Sequence, residues 1–416
     1  MTTPGMTTPG MRRSHGGMVQ GSTRRRCTGL LGCRTPLARA YDLAVLDLDG
    51  VLYLGSEAID GAPEALAAAR AAGLRTCFVT NNASRPPAAV AEHLTRLGVP
   101  AGVDEIVTSA QAAAAILARR LPSGAAVLVV GGEGLRVALT ERGLRPVRSM
   151  EEQPQAVVQG FDPDLSWRDL AEGTCAVRAG LFWTATNLDL TVPTPSGPAP
   201  GNGALVGLVA RTAGREPDVV AGKPDPGSFL EAARRYDSCR PLVVGDRLDT
   251  DLEGARAAGQ DGLLVLTGIS GVSDVIACPV RRRPGYLGRD LAALLRPHPE
   301  VTVQWRRRGP GGIVQARSGA AAVGVEEGRL RVEQAGDDAL DVLRAAAQAA
   351  WAWGDEAWGD GARGDGARGA GPRCDGARGA GPRCDGGRAP GPRPELDPEP
   401  VLDVVRRLEP AAGWAR

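Results

Sequence analysis

Residues 43–46 are unbroken apolar sequence, the pattern of a strand buried on both faces of a parallel sheet. They run straight into Asp47-Leu48-Asp49-Gly50. Residues 63–72 are alanine-rich and stop at Gly73, which predicts a helix. Residues 74–79 read as a second strand that ends in Thr80-Asn81-Asn82-Ala83-Ser84, and residues 86–97 as a second helix closed by Gly98. Strand and helix alternating in this way predict a parallel sheet with crossover helices, in which ligands bind beyond the carboxyl ends of the strands. Asp47, Asp49 and Thr80 all arrive at that edge.

The texture changes from about residue 105 to 217. Short strands at 126–130 and 156–159 alternate with helices such as 166–180, followed by a Pro- and Gly-rich loop at 193–203. This reads as a separate α/β unit inserted into the first. Its Gly131-Gly132-Glu133-Gly134 stretch reads as a plain strand-to-helix turn, because Val137 stands where a dinucleotide fingerprint needs its third glycine. The first pattern resumes at residues 219–225, where an apolar run meets Gly222-Lys223-Pro224. Residues 242–245 form a strand entering Asp246-Arg247-Leu248-Asp249-Thr250-Asp251, and residues 263–266 a further buried strand. The expected organisation is a disordered tail at 1–38, a core in two parts at 39–105 and 218–296, and the insertion at 106–217. A small α+β extension follows at 297–353, with a strand near 328–332 and a helix at 339–353. Residues 354–398 read as a low-complexity linker with a repeat of period ten, and 399–416 as a short terminal segment.

Composition sharpens this picture in three places. Hydrophobic residues make up 43% of the chain but aromatics only 4%, so its cores are built from Ala, Val and Leu. The net charge of +1 argues against a nucleic-acid partner held by bulk electrostatics. Among 49 basic residues Lys223 is the single lysine, which gives it unusual weight at a strand end. No apolar run approaches the roughly 18 residues needed to cross a bilayer. The eight cysteines form no Cys-x-x-Cys pair and there are three histidines, which points away from a zinc site and toward a reducing cytoplasm.

Two carboxylates set against an apolar strand must be paired with a cation, or one must hold a proton. Alone, Asp47-Leu48-Asp49-Gly50 reads equally well as a solvated turn. It is not alone. With Thr80-Asn81-Asn82, Gly222-Lys223-Pro224 and the run from Gly245 to Asp251, it resembles the four ordered motifs of the haloacid dehalogenase superfamily. The Thr-Asn-Asn-Ala-Ser form and the long insertion resemble the NagD/p-nitrophenylphosphatase branch, within which the chain looks most like bacterial glycerol-3-phosphate phosphatases with a C-terminal extension.

That resemblance implies a Rossmann-like core, a C2-type cap at the insertion, and a Mg²⁺-dependent phosphomonoesterase working through an aspartyl-phosphate. It implies Asp47 as nucleophile and Asp49 as general acid and base. The metal would be held by the Asp47 carboxylate, the Asp49 carbonyl and the Asp246 carboxylate, with Asp251 behind them. Thr80, Asn81 and Lys223 would hold phosphate. The cap stretches around Asn187, Asp189 and residues 200–203 fall where the branch has substrate loops, although structural turns account for them equally well. The implied substrate is a small phosphorylated metabolite, glycerol 3-phosphate first, with phosphoglycolate, p-nitrophenyl phosphate and nucleoside monophosphates as alternatives. A cytoplasmic setting and a homodimer through the cap are part of the same expectation. A phosphate-ligand-binding regulator acting through its extension is the alternative from another class.

Overall fold

The computed structural model describes residues 29–194, 197–308, 312–358 and 396–408. Strand β1 (Leu43–Leu46) is buried at every position, because alternate residues feed two different cores. Leu43 and Val45 pack with Phe229 and Ala255 on one face, while Ala44 and Leu46 pack with Leu66 and Leu94 on the other. Helix α1 (Ala62–Ala71), strand β2 (Arg75–Thr80), helix α2 (Pro87–Arg96) and strand β3 (Ile106–Thr108) follow. Between β1 and α1 a small flap pairs Tyr53–Leu54 with Glu57–Ala58.

Helix α3 (Ser109–Arg120) leads into the inserted unit. It starts at Thr108, whose hydroxyl accepts from the Gln111 amide while the Gln111 side chain returns to the Thr108 amide. The unit then runs β4 (Ala126–Val130), α4 (Glu133–Glu141), β5 (Arg145–Val147), β6 (Ala156–Gln159), α5 (Trp167–Arg178), β7 (Phe182–Ala185), α6 (Asn202–Ala213) and β8 (Val219–Val220). Its five strands lie in the order β8-β7-β6-β4-β5, all parallel. The chain returns through α7 (Gly227–Arg235), β9 (Pro241–Gly245), α8 (Glu253–Ala258), β10 (Asp261–Val265), α9 (Val272–Ile276) and β11 (Tyr286–Gly288). The first sheet thus has six parallel strands ordered β11-β10-β9-β1-β2-β3. The crossing points differ slightly from the expected limits of the insertion: β3, at 106–108, belongs to the first sheet, and β8, at 219–220, to the second.

The extension is an antiparallel meander of β12 (Thr302–Arg307), β13 (Ile313–Ser318), β14 (Ala321–Glu326) and β15 (Arg329–Gln334). Helix α10 (Ala339–Trp358) crosses it, joined by α11 (Glu399–Leu408). Helix α10 therefore runs past residue 353, where the linker was expected to have begun one residue later. Residues 29–38, expected to lie in a disordered tail, are instead anchored. The Leu31 amide donates to the Gly285 carbonyl, Cys33 and His298 exchange backbone bonds, and Leu37 is fully buried. Leu30, Leu31 and Leu37 supply the apolar surface that holds this stretch. The rest of the expected tail and most of the linker lie outside the described residues. Among the described residues no helix is long and apolar enough to cross a membrane.

Candidate active site

Register decides which residues meet. Leu46 lies beside Val244 on one side and Phe78 on the other, so Asp47, Asp246 and Thr80 leave the sheet at the same edge. The Asp47 amide continues the ladder by donating to the Val244 carbonyl at 2.8 Å. The Lys223 ammonium lies between two carboxylates, 2.5 Å from Asp47 Oδ1 and 2.7 Å from Asp251 Oδ1. Its side chain is 4% exposed and that of Asp251 is wholly buried, so these charges have almost no water to screen them.

Asp246 completes the cluster. Ligand oxygens of Asp47, Asp246 and Asp251 lie within 4.8 Å of one another. Asp246 Oδ2 accepts from the Ile269 amide at 2.7 Å, whereas Oδ1 is buried with no hydrogen-bond partner among the described residues. Two glycines make room for that carboxylate: a Cβ on Gly268 or on Gly50 would run into it. Gly50 also has φ +82, a conformation that favours glycine. Asp249, the third acid of the same run, turns away into a two-pronged pair with the Arg247 guanidinium at 3.0 and 3.1 Å. A single π-helical turn, Leu248–Leu252, gives the run this shape and leaves Asp251 facing inward.

The electrostatics follow from burial. Desolvation pushes Asp246 well above the usual carboxylate range, and the neighbouring Asp251 and Asp47 push it further. Asp251 is raised to about 6 by burial, against the pull of Lys223. Asp47 is raised by burial, with Lys223 opposing. Burial alone would lower Lys223, but Asp251 and Asp47 overcome it and hold the ammonium charged. Three buried acids against one ammonium leave negative charge uncompensated, and one carboxylate oxygen faces no donor. That donor set, all hard oxygen, fits a divalent cation such as Mg²⁺. Asp49 stands half-buried beside the cluster. Burial raises it, the Tyr53 hydroxyl 3.4 Å away and the Lys223 charge oppose, and the acid stays above its ordinary value.

Thr80 is buried at the end of β2, with its hydroxyl accepting from the Asn82 amide. The Asn81 side chain does something the sequence did not reveal. Its Oδ1 accepts from the Lys223 amide at 2.8 Å, and its Nδ2 donates to the Lys223 carbonyl and to Asp189 Oδ2. One amide thus clasps the main chain that carries the lysine. Gly222 permits this, since a Cβ there would meet Asn81 Oδ1 and the Thr186 carbonyl. Asn187 is buried and donates to the Asn81 carbonyl at 2.7 Å, while Asn202 donates to the Asn187 carbonyl. Asn187 and Asp189, read from the sequence as a substrate loop or a structural turn, both hydrogen-bond to Asn81 of the core. The Thr267-Gly268-Ile269-Ser270 loop that grips Asp246 was also missed. Its signal was present: an apolar run ending in small polar residues, the same signature as the other strand ends.

Comparison with known proteins agrees with this geometry. A haloacid dehalogenase-like hydrolase family model matches residues 44–145, and a HAD-hydrolase-like model matches residues 220–294. The D-glycerol 3-phosphate phosphatase of Mycobacterium tuberculosis is 44% identical over 315 residues, covering 76% of this chain and 87% of that protein. This chain belongs to the haloacid dehalogenase-like hydrolases. The acid sugar phosphatase of Staphylococcus aureus is 36% identical over 239 residues, 57% of this chain and 91% of its own length. Among solved structures, the M. tuberculosis glycerol phosphate phosphatase in complex with magnesium superposes with a TM-score of 0.68 at 42% identity, covering 76% of this chain and 92% of that one. The 4-nitrophenylphosphatase of Thermotoga maritima gives 0.58 at 30% identity, covering 62% and 98%. The chain is accordingly a hydrolase of phosphoric monoesters, with a capped core like that of the p-nitrophenylphosphatases.

Proposed function

We propose that this hydrolase acts on glycerol 3-phosphate in the cytoplasm, with Asp47 as nucleophile and Asp49 as its acid and base. The observation that carries the site assignment is the Asp47–Lys223–Asp251 bridge beside an Asp246 oxygen that has no partner among the described residues. The substrate rests on the 44% identity with the mycobacterial glycerol 3-phosphate phosphatase. A cap without histidine supports it, since no imidazole is there to stack an aromatic leaving group.

In the first step an Asp47 carboxylate oxygen forms a bond to phosphorus as the bond from phosphorus to the glycerol oxygen breaks. Asp49, its carboxyl raised by burial, gives its proton to the departing alkoxide. In the second step Asp49 takes a proton from water, the water oxygen bonds to phosphorus, and Asp47 is released with inorganic phosphate. Lys223 fixes the Asp47 rotamer and places positive charge beside the transferred group. The Thr80 hydroxyl and the Asn81 main chain would hold phosphate oxygens at the end of β2. Asp251 orients Lys223. Asp47, Asp246 and the Asp49 carbonyl would hold Mg²⁺, which would neutralise charge on the phosphoryl oxygens. The inserted unit at 106–217 acts as the cap that excludes water. It exposes Trp167 and Leu208, and we extend the proposal to a homodimer through that surface.

The test is turnover of a panel of small phosphate esters with Mg²⁺ by the wild-type chain and by Asp47→Asn. Glycerol 3-phosphate should give the highest kcat/KM, and the variant should lose at least about 10⁴-fold in kcat. Higher kcat/KM on phosphoglycolate or a nucleoside monophosphate would reject the substrate. A wild-type chain that binds phosphate esters and releases none would favour the binding protein.

A further inference from the structure

We infer that the C-terminal extension holds the Asp246 carboxylate in place, with Trp351 and Asp355 as positioning residues for the metal-binding acids. This rests on the reading of Asp246 as a metal ligand. The chain of contacts starts at the acid. Ile269 donates its amide to Asp246 Oδ2, Ser270 donates its amide to the Asp246 carbonyl at 3.1 Å, and the Ser270 hydroxyl accepts from the Leu248 amide at 3.1 Å. Residues 268–270 therefore fix both the side chain and the main chain of Asp246.

The next residue, Gly271, opens α9, which has five residues and is too short to keep its place through its own hydrogen bonds. Helix α10 of the extension supplies the anchor. Buried Trp351 donates its indole N–H to the Val275 carbonyl in α9 at 3.0 Å. The Arg283 guanidinium lies over the Trp351 ring, 5.1 Å from its centroid, and makes a two-pronged pair with Asp355 at 2.7 and 2.9 Å. Val272, Val275 and Ile276 share one apolar cluster with Leu343 and Ala346 of α10. The same cluster takes in Leu248 and Leu252, which flank Asp251. Asp47 follows β1, whose residues pack into two other clusters, around β1 and β2. Loosening the extension therefore acts first on Asp246 and the Asp251 turn, and reaches Asp47 only through the Lys223 bridge.

Trp353 provides the control. It sits on the same helix and is buried, its indole N–H has no partner among the described residues, and its ring lies against the Gly328 turn. Full-length wild type, Trp351→Phe, Asp355→Asn and Trp353→Phe are titrated with Mg²⁺ by calorimetry, and their thermal unfolding and ester kinetics are measured. Trp351→Phe and Asp355→Asn should weaken Mg²⁺ binding by roughly threefold to tenfold, with KM for the ester within about twofold of wild type and kcat recovered at excess Mg²⁺. Trp353→Phe should lower Tm and leave Mg²⁺ affinity unchanged. Wild-type Mg²⁺ affinity in both Trp351→Phe and Asp355→Asn, whatever their Tm, would overturn the brace. A wild-type chain that hydrolyses esters but takes up no Mg²⁺ would instead overturn the ligand reading beneath it, and the brace with it.

Discussion

Replacing Lys223 with methionine keeps an unbranched side chain as far as its fourth heavy atom and removes the ammonium that bridges Asp47 and Asp251. Breaking a buried ion pair by deleting one partner costs about 3–5 kcal/mol, because the remaining charge has neither partner nor water. Here the acids have a way out. Asp251 already sits at about 6, above its ordinary value of 3.8, so protonation of the folded state is stabilising below 3.8 and that stabilisation is lost as pH rises to about 6. Without Lys223 the opposing attraction is gone, and the window extends to higher pH. The variant should therefore be destabilised by about 3 kcal/mol at pH 8 and by about 1 kcal/mol at pH 5. Urea unfolding followed by tryptophan fluorescence, in chelator across this range, measures both figures. Turnover should fall by about 10²–10³-fold, as expected when a preorganised charge is taken from the transferring group. A loss under about 1 kcal/mol at pH 8, or one that does not change with pH, would refute the claim that these acids depend on Lys223.

Three further substitutions probe separate parts of the site. Asp49→Asn should lower kcat by roughly 10²–10⁴-fold, with least loss on esters of acidic alcohols such as p-nitrophenol, whose leaving group needs no proton; equal losses across leaving groups would contradict its role as acid. Gly268→Ala drives a methyl group into the Asp246 carboxylate and should weaken Mg²⁺ binding by about tenfold, measured by calorimetry. Asn81→Ala removes the clasp on the Lys223 main chain and the bond to Asp189, and should cost roughly 2 kcal/mol of stability by thermal unfolding.

The parallel core was legible because β1, β2 and β9 are apolar on both faces and end in conspicuous polar residues. Asp47, Thr80 and Asp246 could be read off those ends, and Lys223 off the apolar run 219–221 that precedes it, since a strand's last residue is where the next side chain must leave the sheet. What the sequence hid depends on contacts between distant segments. Nothing local marks the Asn81 amide as the partner of a main chain 142 residues away. Asn187 and Asp189 read equally well as a substrate loop or as structural turns, because their partner lies on the core. The extension likewise looked like an appendage: helical spacing in 339–353 shows an apolar face but not that it covers α9 and Leu248. The anchored stretch at 29–38 was overlooked because its few leucines have no periodicity and gain order only from Gly285 and His298.

A crystal structure of the full chain grown with Mg²⁺ and beryllium fluoride tests the central claim most directly. The account predicts a trifluoroberyllate bonded to an Asp47 carboxylate oxygen. It also predicts one Mg²⁺ shared by Asp47, the Asp49 carbonyl and Asp246, with Lys223 and Thr80 on the fluorines. An ion bound away from Asp246, or a fluoride complex that leaves Asp47 unmodified, would contradict it.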